Sequence, residues 1–344
     1  MRPLFSIGLG MLATVLILEA VLQCLPVSSG LRLENSDPQI PFRRYLAHQP
    51  YVYSYGWAFN NARSGVINAQ GWSNSRDFKD GAAVLVLGDS FVESLMLDYP
   101  DTMQGQLERA LGGGVYAAGN SGNGLADTLV MARYYLPRVH PRSVVLFVDG
   151  SNLATLLEPA KRGHNQIEPG PDGFHIVHAP YIEPRIKRVV SYSALVRYCY
   201  YNLKLPDWLS STLRGKNPAS AAPLPVRDTA AQALVLDYYL TQLRAIEGSS
   251  KVQFLFLVDG ERGLLYDAHK GKPSWQGDDR AFFLDRLKQH GYAAIDMQPV
   301  FARHWEAQRE RMDFAPMDAH WNKVSHALAA QQILSRLKQT ALAP

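Results

Sequence analysis

Cysteine is almost missing from this chain: Cys24 and Cys199 are its only two. Two thiols so far apart supply neither a disulfide framework nor a Cys-rich zinc module. Charge is sparse too, at 19% of residues, and the net value of +4 is small for 344 positions. The 35 basic residues are spread along the chain and gather into no arm or stripe, so nucleic acid is a poor partner for it. There is no internal repeat, low-complexity tract or block of like charge, and Gly and Pro occur at ordinary frequency. Collagen-like, linker-like and disordered classes are thereby excluded. What is present is a 47% hydrophobic fraction, enough for one large core or two modest ones.

That apolar content is uneven. Residues 4–25, LFSIGLGMLATVLILEAVLQCL, hold a single charge, Glu19, near their downstream end. As a helix rising about 1.5 Å per residue the stretch spans roughly 33 Å, sufficient to cross a bilayer core. A cleaved signal peptide is the competing reading, because Arg2 precedes the run. The apolar segment is long for one, no A-x-A site follows it, and Gln23 before Cys24 makes a poor lipoprotein box. A retained anchor over residues 1–26 is therefore expected. Its orientation is not set by flanking charge, since Arg2 lies on one side and Arg32, Arg43 and Arg44 on the other.

Residues 27–80 are polar and turn-rich, with aromatics in YVYSYGWAF, and read as a stalk that becomes an apron of short strands. Residues 81–344 form the main domain. AAVLVLGDS is a short apolar run ending in a Gly-Asp turn, and a helical pattern follows from about Asp101 to Leu111. The pattern repeats with GVYAAGNSG and DTLVMARYYL, then SVVLFVDGSN, and later with KVQFLFLVDG and GYAAIDMQPVF, each beside a helix-period segment. Residues 158–228 lose the rhythm and read as an insertion or lid with one helix around SALVRYCYYNL. Short buried strands alternating with helices predict a parallel sheet whose functional edge is at the strands' carboxyl ends.

Four polar ends stand out. Ser90 follows a buried strand in Gly88-Asp89-Ser90, where it either caps a helix or presents a hydroxyl at the sheet edge. Gly119-Asn120-Ser121-Gly122-Asn123-Gly124 lets backbone approach a ligand, without the spacing of a phosphate loop. Asn152 ends a third strand and offers an amide donor or a turn. Asp318-Ala319-His320 supplies a base with a neighbouring carboxylate, a pattern shared with capping turns and metal-ligand pairs. Elsewhere, Glu261-Arg262 reads as a local ion pair or site rim, and His304-Trp305 as part of a packed surface helix ahead of a stacking border to a sugar site. Tyr198, Tyr200 and Tyr201 do not share one helical face, and read as a bridge between core and lid.

Taken in this order, Gly88-Asp89-Ser90, the Gly122 loop, Asn152 and the Asp318/His320 pair resemble the four blocks of the SGNH (GDSL-like) hydrolase superfamily. INAQGWSNSRDF upstream is similar to the lead-in of bacterial envelope members, and the resemblance covers about residues 58–157 and 229–340. It implies a flavodoxin-like three-layer α/β/α sandwich. It also implies Ser90 as nucleophile, His320 as general base and then acid, and Asp318 as the group orienting His320. Ser90 N–H, Gly122 N–H and the Asn152 side chain would form the oxyanion hole, and Asp89 would stabilise the turn. The chain departs from the pattern in Leu153, where many members carry Asp, and in Ala117, where Asn is frequent. A single residue separates Asp318 from His320, as in the subgroup resembling alginate-type polysaccharide O-acetyltransferases.

The leading expectation is thus a serine-dependent acyl ester hydrolase or O-acyltransferase acting on cell-envelope or exopolysaccharide carbohydrate, with no cofactor and no metal. Its partners would be an acylated carbohydrate or acyl donor, the membrane through the N-terminal helix, and polysaccharide-biosynthesis membrane proteins. The domain would lie in the periplasm or outside the cell, held by a single pass in the inner membrane. A non-catalytic carbohydrate-binding or assembly protein, and a lipid-directed lysophospholipase or thioesterase, are the alternatives.

Overall fold

The computed structural model describes residues 2–77, 81–206, 208–209, 228–267, 269, 271, 273–315 and 317–341. At its centre five parallel strands form one sheet: β3 (Val84–Gly88), β4 (Val115–Gly119), β5 (Ser143–Val148), β8 (Gln253–Val258) and β9 (Ala293–Asp296), in the order β4-β3-β5-β8-β9. β3, β4 and β5 are buried along their whole length, which explains why they read as continuous apolar runs instead of alternating ones. The register places Val86 between Ala117 and Val145.

Successive side chains still point to opposite faces, and each face builds its own core. Leu85, Leu87, Val144, Leu146, Phe254 and Phe256 pack under α4 (Leu125–Val139), α8 (Thr229–Ser250) and α10 (Asp279–Gln289). Val84, Val86, Val145, Phe147, Leu255 and Leu257 pack under α3 (Met103–Leu111), α11 (Met297–Gln308) and α12 (Lys323–Ala341). The result is the expected three-layer sandwich with flavodoxin-type strand order. The order reverses between β4 and β5, on either side of β3, so a crevice opens where β3 ends, and Ser90 follows β3 directly.

The apron contains an antiparallel hairpin, β1 (Pro50–Tyr55) and β2 (Asn60–Val66). In the 158–228 segment, a second hairpin pairs β6 (Asn165–Gly170) with β7 (Gly173–His178), followed by α6 (Arg185–Val190) and α7 (Ala194–Arg197). The SALVRYCYYNL helix is present as α7 continued by a π turn over Tyr198–Asn202; residues 210–227 lie outside the described residues. This segment is knitted into the apron: Arg32 Nη2 pairs with buried Glu183 at 2.7 Å, and Tyr181 N donates to Ser36 Oγ at 2.8 Å. Ile167 reaches the main core.

At the N-terminus, α1 (Arg2–Gln23) includes Phe5–Gln23, long and apolar enough to be a membrane span or a signal sequence. Its apolar side chains from Phe5 to Leu18 face outward, uncovered by protein.

Candidate active site

Asp89 starts the short helix α2 (Ser90–Glu93), its side chain accepting from Phe91 N at 2.9 Å. Ser90 is the first residue of that turn, so its own N–H has no acceptor inside the helix. The turn sits close on the sheet because of two glycines. A Cβ on Gly88 would meet Val92 Cγ2 at 2.6 Å, and one on Gly119 would meet Val92 Cβ at 2.7 Å. These close approaches let α2 nest over the ends of β3 and β4 and aim Ser90 into the crevice.

Ser90 Oγ lies 2.8 Å from His320 Nε2, and His320 Nδ1 is hydrogen-bonded to Asp318 Oδ1. An ionised carboxylate only accepts, so Nδ1 carries the proton and Nε2 presents its lone pair to the serine hydroxyl. Burial by itself would raise the Asp318 carboxyl, but the hydrogen bonds and charge of His320, with Lys204 beyond, outweigh it and hold Asp318 below its ordinary value. The dyad loop is fixed from underneath. Arg262 Nη2 donates to Ala319 O at 3.0 Å, and the neighbouring Trp321 is fully buried with Nε1 on Asp259 Oδ1 at 2.9 Å. The Phe91 ring packs on the imidazole at a centroid distance of 4.7 Å. Arg262 is itself paired with Asp259, which corrects the reading of Glu261-Arg262 as an ion pair; Glu261 instead accepts from Ser274 N and Trp275 N.

The second wall comes from the ends of β4 and β5. Gly122 has φ +88, a conformation that favours glycine, and a Cβ there would touch His164 Nε2 at 3.4 Å. On the short helix α5 (Gly150–Ala154), Asn152 Oδ1 accepts from Asp149 N at 3.0 Å, which turns its amide nitrogen toward the Gly122 loop, where Nδ2 donates to Asn123 O at 3.2 Å. One N–H of that amide remains beyond this bond. The loop is tied back to the serine side, since Asn123 Nδ2 donates to Gly88 O at 3.0 Å and Ser121 Oγ donates to Glu93. The structure therefore brings Ser90, His320 and Asp318 into one hydrogen-bonded relay, with Gly122 and Asn152 together on the adjoining loop wall.

Glu93, Asp127, His164 and His326 escaped the sequence reading. Glu93 is buried one turn after Ser90 and accepts from Tyr45 OH of the apron and Ser121 Oγ of the loop, so three segments meet on one carboxyl. Burial pushes that carboxyl above its ordinary range, and these hydrogen bonds offset only part of the rise. His164 lies between Arg43 Nη1 and Asp127 Oδ2, each at 3.0 Å; because arginine only donates, Nε2 accepts and Nδ1–H points to Asp127. His326 accepts from Met103 N at 3.0 Å and faces Ser94 Oγ at 3.2 Å, holding the turn that ends α2. Asp89 and Asp149 are also pushed upward, foremost by burial, with neighbouring carboxylates adding to it.

His326 supports a pH prediction. Burial, followed by the charges of His320 and Arg262, lowers its pKa to about 3 from the ordinary 6.5 of histidine. The unfolded chain then binds more protons than the folded one between these values, so this contribution is complete above about pH 6.5 and is lost as pH falls. The unfolding free energy of the parent should drop relative to His326→Gln by about 1.4 kcal/mol per pH unit across that window. Denaturant titrations of both chains from pH 7 to pH 5 read the difference, and parallel curves would contradict the assignment.

A cavity of about 590 Å³ adjoins the relay at Asp318. Tyr51, Tyr53 and Tyr55 of the apron and Tyr181, Tyr200 and Tyr201 of the insertion line it, with Arg43, Arg162, Lys187 and Lys204. A smaller one of about 380 Å³ holds Gly122, Asn152 and His164, and Arg43 and Arg162 border both. His304 and Trp305 take no part in either: Trp305 packs on Tyr266 of α9 (Arg262–Tyr266), as a surface helix would. Among the described residues no group of three or more His, Cys, Asp or Glu side chains is arranged to hold a metal ion.

No family model matches the chain, and no curated protein does. Among solved structures it is similar to the acetyl xylan esterase AlAXEase, at 13% identity and TM-score 0.42 over 74% of this chain and 98% of that one. TesA is matched at 15% identity and TM-score 0.40, with the same two coverages. An SGNH hydrolase of Slackia heliotrinireducens, itself named only by assignment, is matched at 14% identity and TM-score 0.38, again over 74% and 98%. Likenesses this distant leave the function to be argued from the site itself.

Proposed function

We propose that this chain is a serine-dependent acyl ester hydrolase or O-acyltransferase of SGNH type that acts on envelope or exopolysaccharide carbohydrate through an acyl-enzyme on Ser90. The observation that carries the reading is the Ser90–His320–Asp318 relay at the carboxyl end of the parallel sheet. Ser90 Oγ attacks the ester carbonyl carbon while its proton passes to His320 Nε2. The carbonyl oxygen becomes an oxyanion that Ser90 N–H, Gly122 N–H and Asn152 Nδ2 receive. His320, now an imidazolium held by Asp318, gives the proton to the departing alcohol oxygen, leaving the acyl group on Ser90. Water or a sugar hydroxyl then attacks the acyl carbon, with His320 taking its proton, and Ser90 is released.

Carbohydrate is favoured over a long acyl chain by the lining of the larger cavity, where tyrosine rings offer stacking faces and hydroxyls. Anchorage follows from the same reading: α1 is a retained span, and the sheet domain lies on the periplasmic or outer side, where such polymers are modified. A fluorophosphonate probe tests the central point. It should label Ser90 in the full chain, and mass spectrometry of the untreated protein from native membranes should find the acyl group trapped there. A folded, glycan-binding chain that the probe leaves unmodified would support a binding or assembly protein instead.

A further inference from the structure

The downstream end of α1 is built into the domain. Glu19 accepts from Ser193 Oγ at 2.8 Å, Ala194 N at 2.8 Å and Leu195 N at 2.9 Å, so a side chain of the apolar helix caps α7 of the insertion. Gln23 Nε2 donates to Tyr192 O at 2.9 Å, and Leu22 and Val27 are buried against Ala194. The hairpin turn joins this junction through Phe59, whose ring packs on Tyr198, and through Tyr198 OH, which donates to Trp57 O at 3.0 Å. A helix joined in this way sets where the bilayer surface meets the domain.

The two segments joined to that exit expose large apolar side chains. Trp57 at the hairpin turn is 76% exposed; Ile182, Ile186, Val189 and Tyr192 are 77, 67, 69 and 73% exposed. Ile186 and Val189 are three apart on α6 and share one side, while Tyr181, Pro184 and Lys187, also at spacings of three, line the tyrosine-rich cavity. The segment thus has one face toward the cavity and another left uncovered by the described residues. Arg185 is exposed beside them, and Arg188 is exposed too while its Nε pairs with Glu183 at 3.2 Å, so the segment carries positive charge as well.

We propose that Trp57, Ile182, Ile186, Val189 and Tyr192 form a second membrane contact, seated at the boundary of headgroups and acyl chains in the leaflet from which α1 emerges. The bilayer is the occupant that fits, because Tyr192 and Trp57 are joined to the base of an apolar helix and the exposed set combines aromatic, aliphatic and basic side chains. The domain then lies against the membrane, and one wall of the cavity stands within about one helix diameter, roughly 10 Å, of lipid. A membrane-held glycan or acyl donor is delivered to that wall without crossing bulk water. The inference rests on reading α1 as a retained span.

The test uses the full chain with Cys24 and Cys199 replaced by serine, reconstituted in phosphatidylcholine nanodiscs. An NBD label is placed at Val189→Cys, and in a separate chain at Asp285→Cys on α10, beside the far edge strand. Circular dichroism melts confirm that both labelled chains are folded. The label at 189 should shift to the blue and lose emission to a shallow doxyl lipid, whereas the label at 285 should do neither. An unshifted, unquenched 189 label in discs that hold the chain through alkaline wash overturns the docking face alone. Loss of the chain from the discs in that wash overturns the retained span and the docking face with it. Protection at 189 in native membranes but not in pure-lipid discs assigns the face to a protein partner and overturns the lipid contact.

Discussion

Ser90→Ala should lower kcat/KM toward p-nitrophenyl acetate by about 10⁶-fold, to the level left by the oxyanion donors and binding alone. Among the described residues the hydroxyl is the one nucleophilic atom bonded to the imidazole, at 2.8 Å, and alanine removes it without altering the helix start that Asp89 caps. The melting temperature should therefore stay near that of the parent, which separates lost chemistry from lost fold. Within a set of variants acting as one relay, His320→Ala should cost about as much as Ser90→Ala, and the double replacement little more. A Ser90→Ala chain that retains the parental rate would remove Ser90 from the nucleophile's position.

Asp318→Asn should reduce kcat by about 10⁴-fold, again without unfolding the protein. Asparagine oxygen still accepts from His320 N, the 2.9 Å bond that shapes the loop. That same oxygen also receives Nδ1–H in the parent, so both bonds persist only while the amide oxygen holds this position; the flipped amide presents an N–H toward Nδ1 instead. The imidazole then favours the tautomer with its proton on Nε2, where it opposes the Ser90 hydroxyl instead of accepting from it. The negative charge that stabilises the imidazolium is lost in the same step. Measurement of kcat and KM separately is decisive: the loss belongs in kcat, because Asp318 acts on His320 and not on ground-state ester binding. A loss smaller than about tenfold would mean that His320 is oriented by the Ala319 and Trp321 contacts alone.

Much of the candidate site was legible in the sequence because its markers are local. An apolar run such as VLVLG followed by Asp-Ser announces a buried strand that ends in a turn, and the same holds for VYAAG before the Gly122 loop and SVVLFV before Asn152. Helices that cover the sheet, such as Leu125–Val139 and Thr229–Ser250, are visible in their apolar period. Glu93, Asp127, His164 and His326 carry no such marker. Glu93 stands in a four-residue helix and would pass for a solvated position; it is buried because Tyr45 and Ser121 close over it from segments 48 and 28 residues away. His164 is recognisable only beside Arg43 and Asp127, at separations of 121 and 37 residues. Arg262 looks paired with its neighbour Glu261 until the strand end brings Asp259 under it.

By itself the sequence determined the alternation of buried parallel strands with helices, the apolar N-terminal helix, and the identities of Ser90, Gly122, Asn152, Asp318 and His320 as residues at strand or helix ends. These depend on periodicity and on which residue types end an element, and both are written into a few consecutive positions. The tertiary structure alone decided that Ser90 and His320, 230 residues apart, share a hydrogen bond, and that the apron and insertion close a tyrosine-lined cavity beside them. It also decided that Glu19, a lone charge in an apolar helix, caps a helix of the insertion. The reason is that a buried polar group must find a partner, and the partner it finds is chosen by how the whole chain packs and not by its neighbours in sequence.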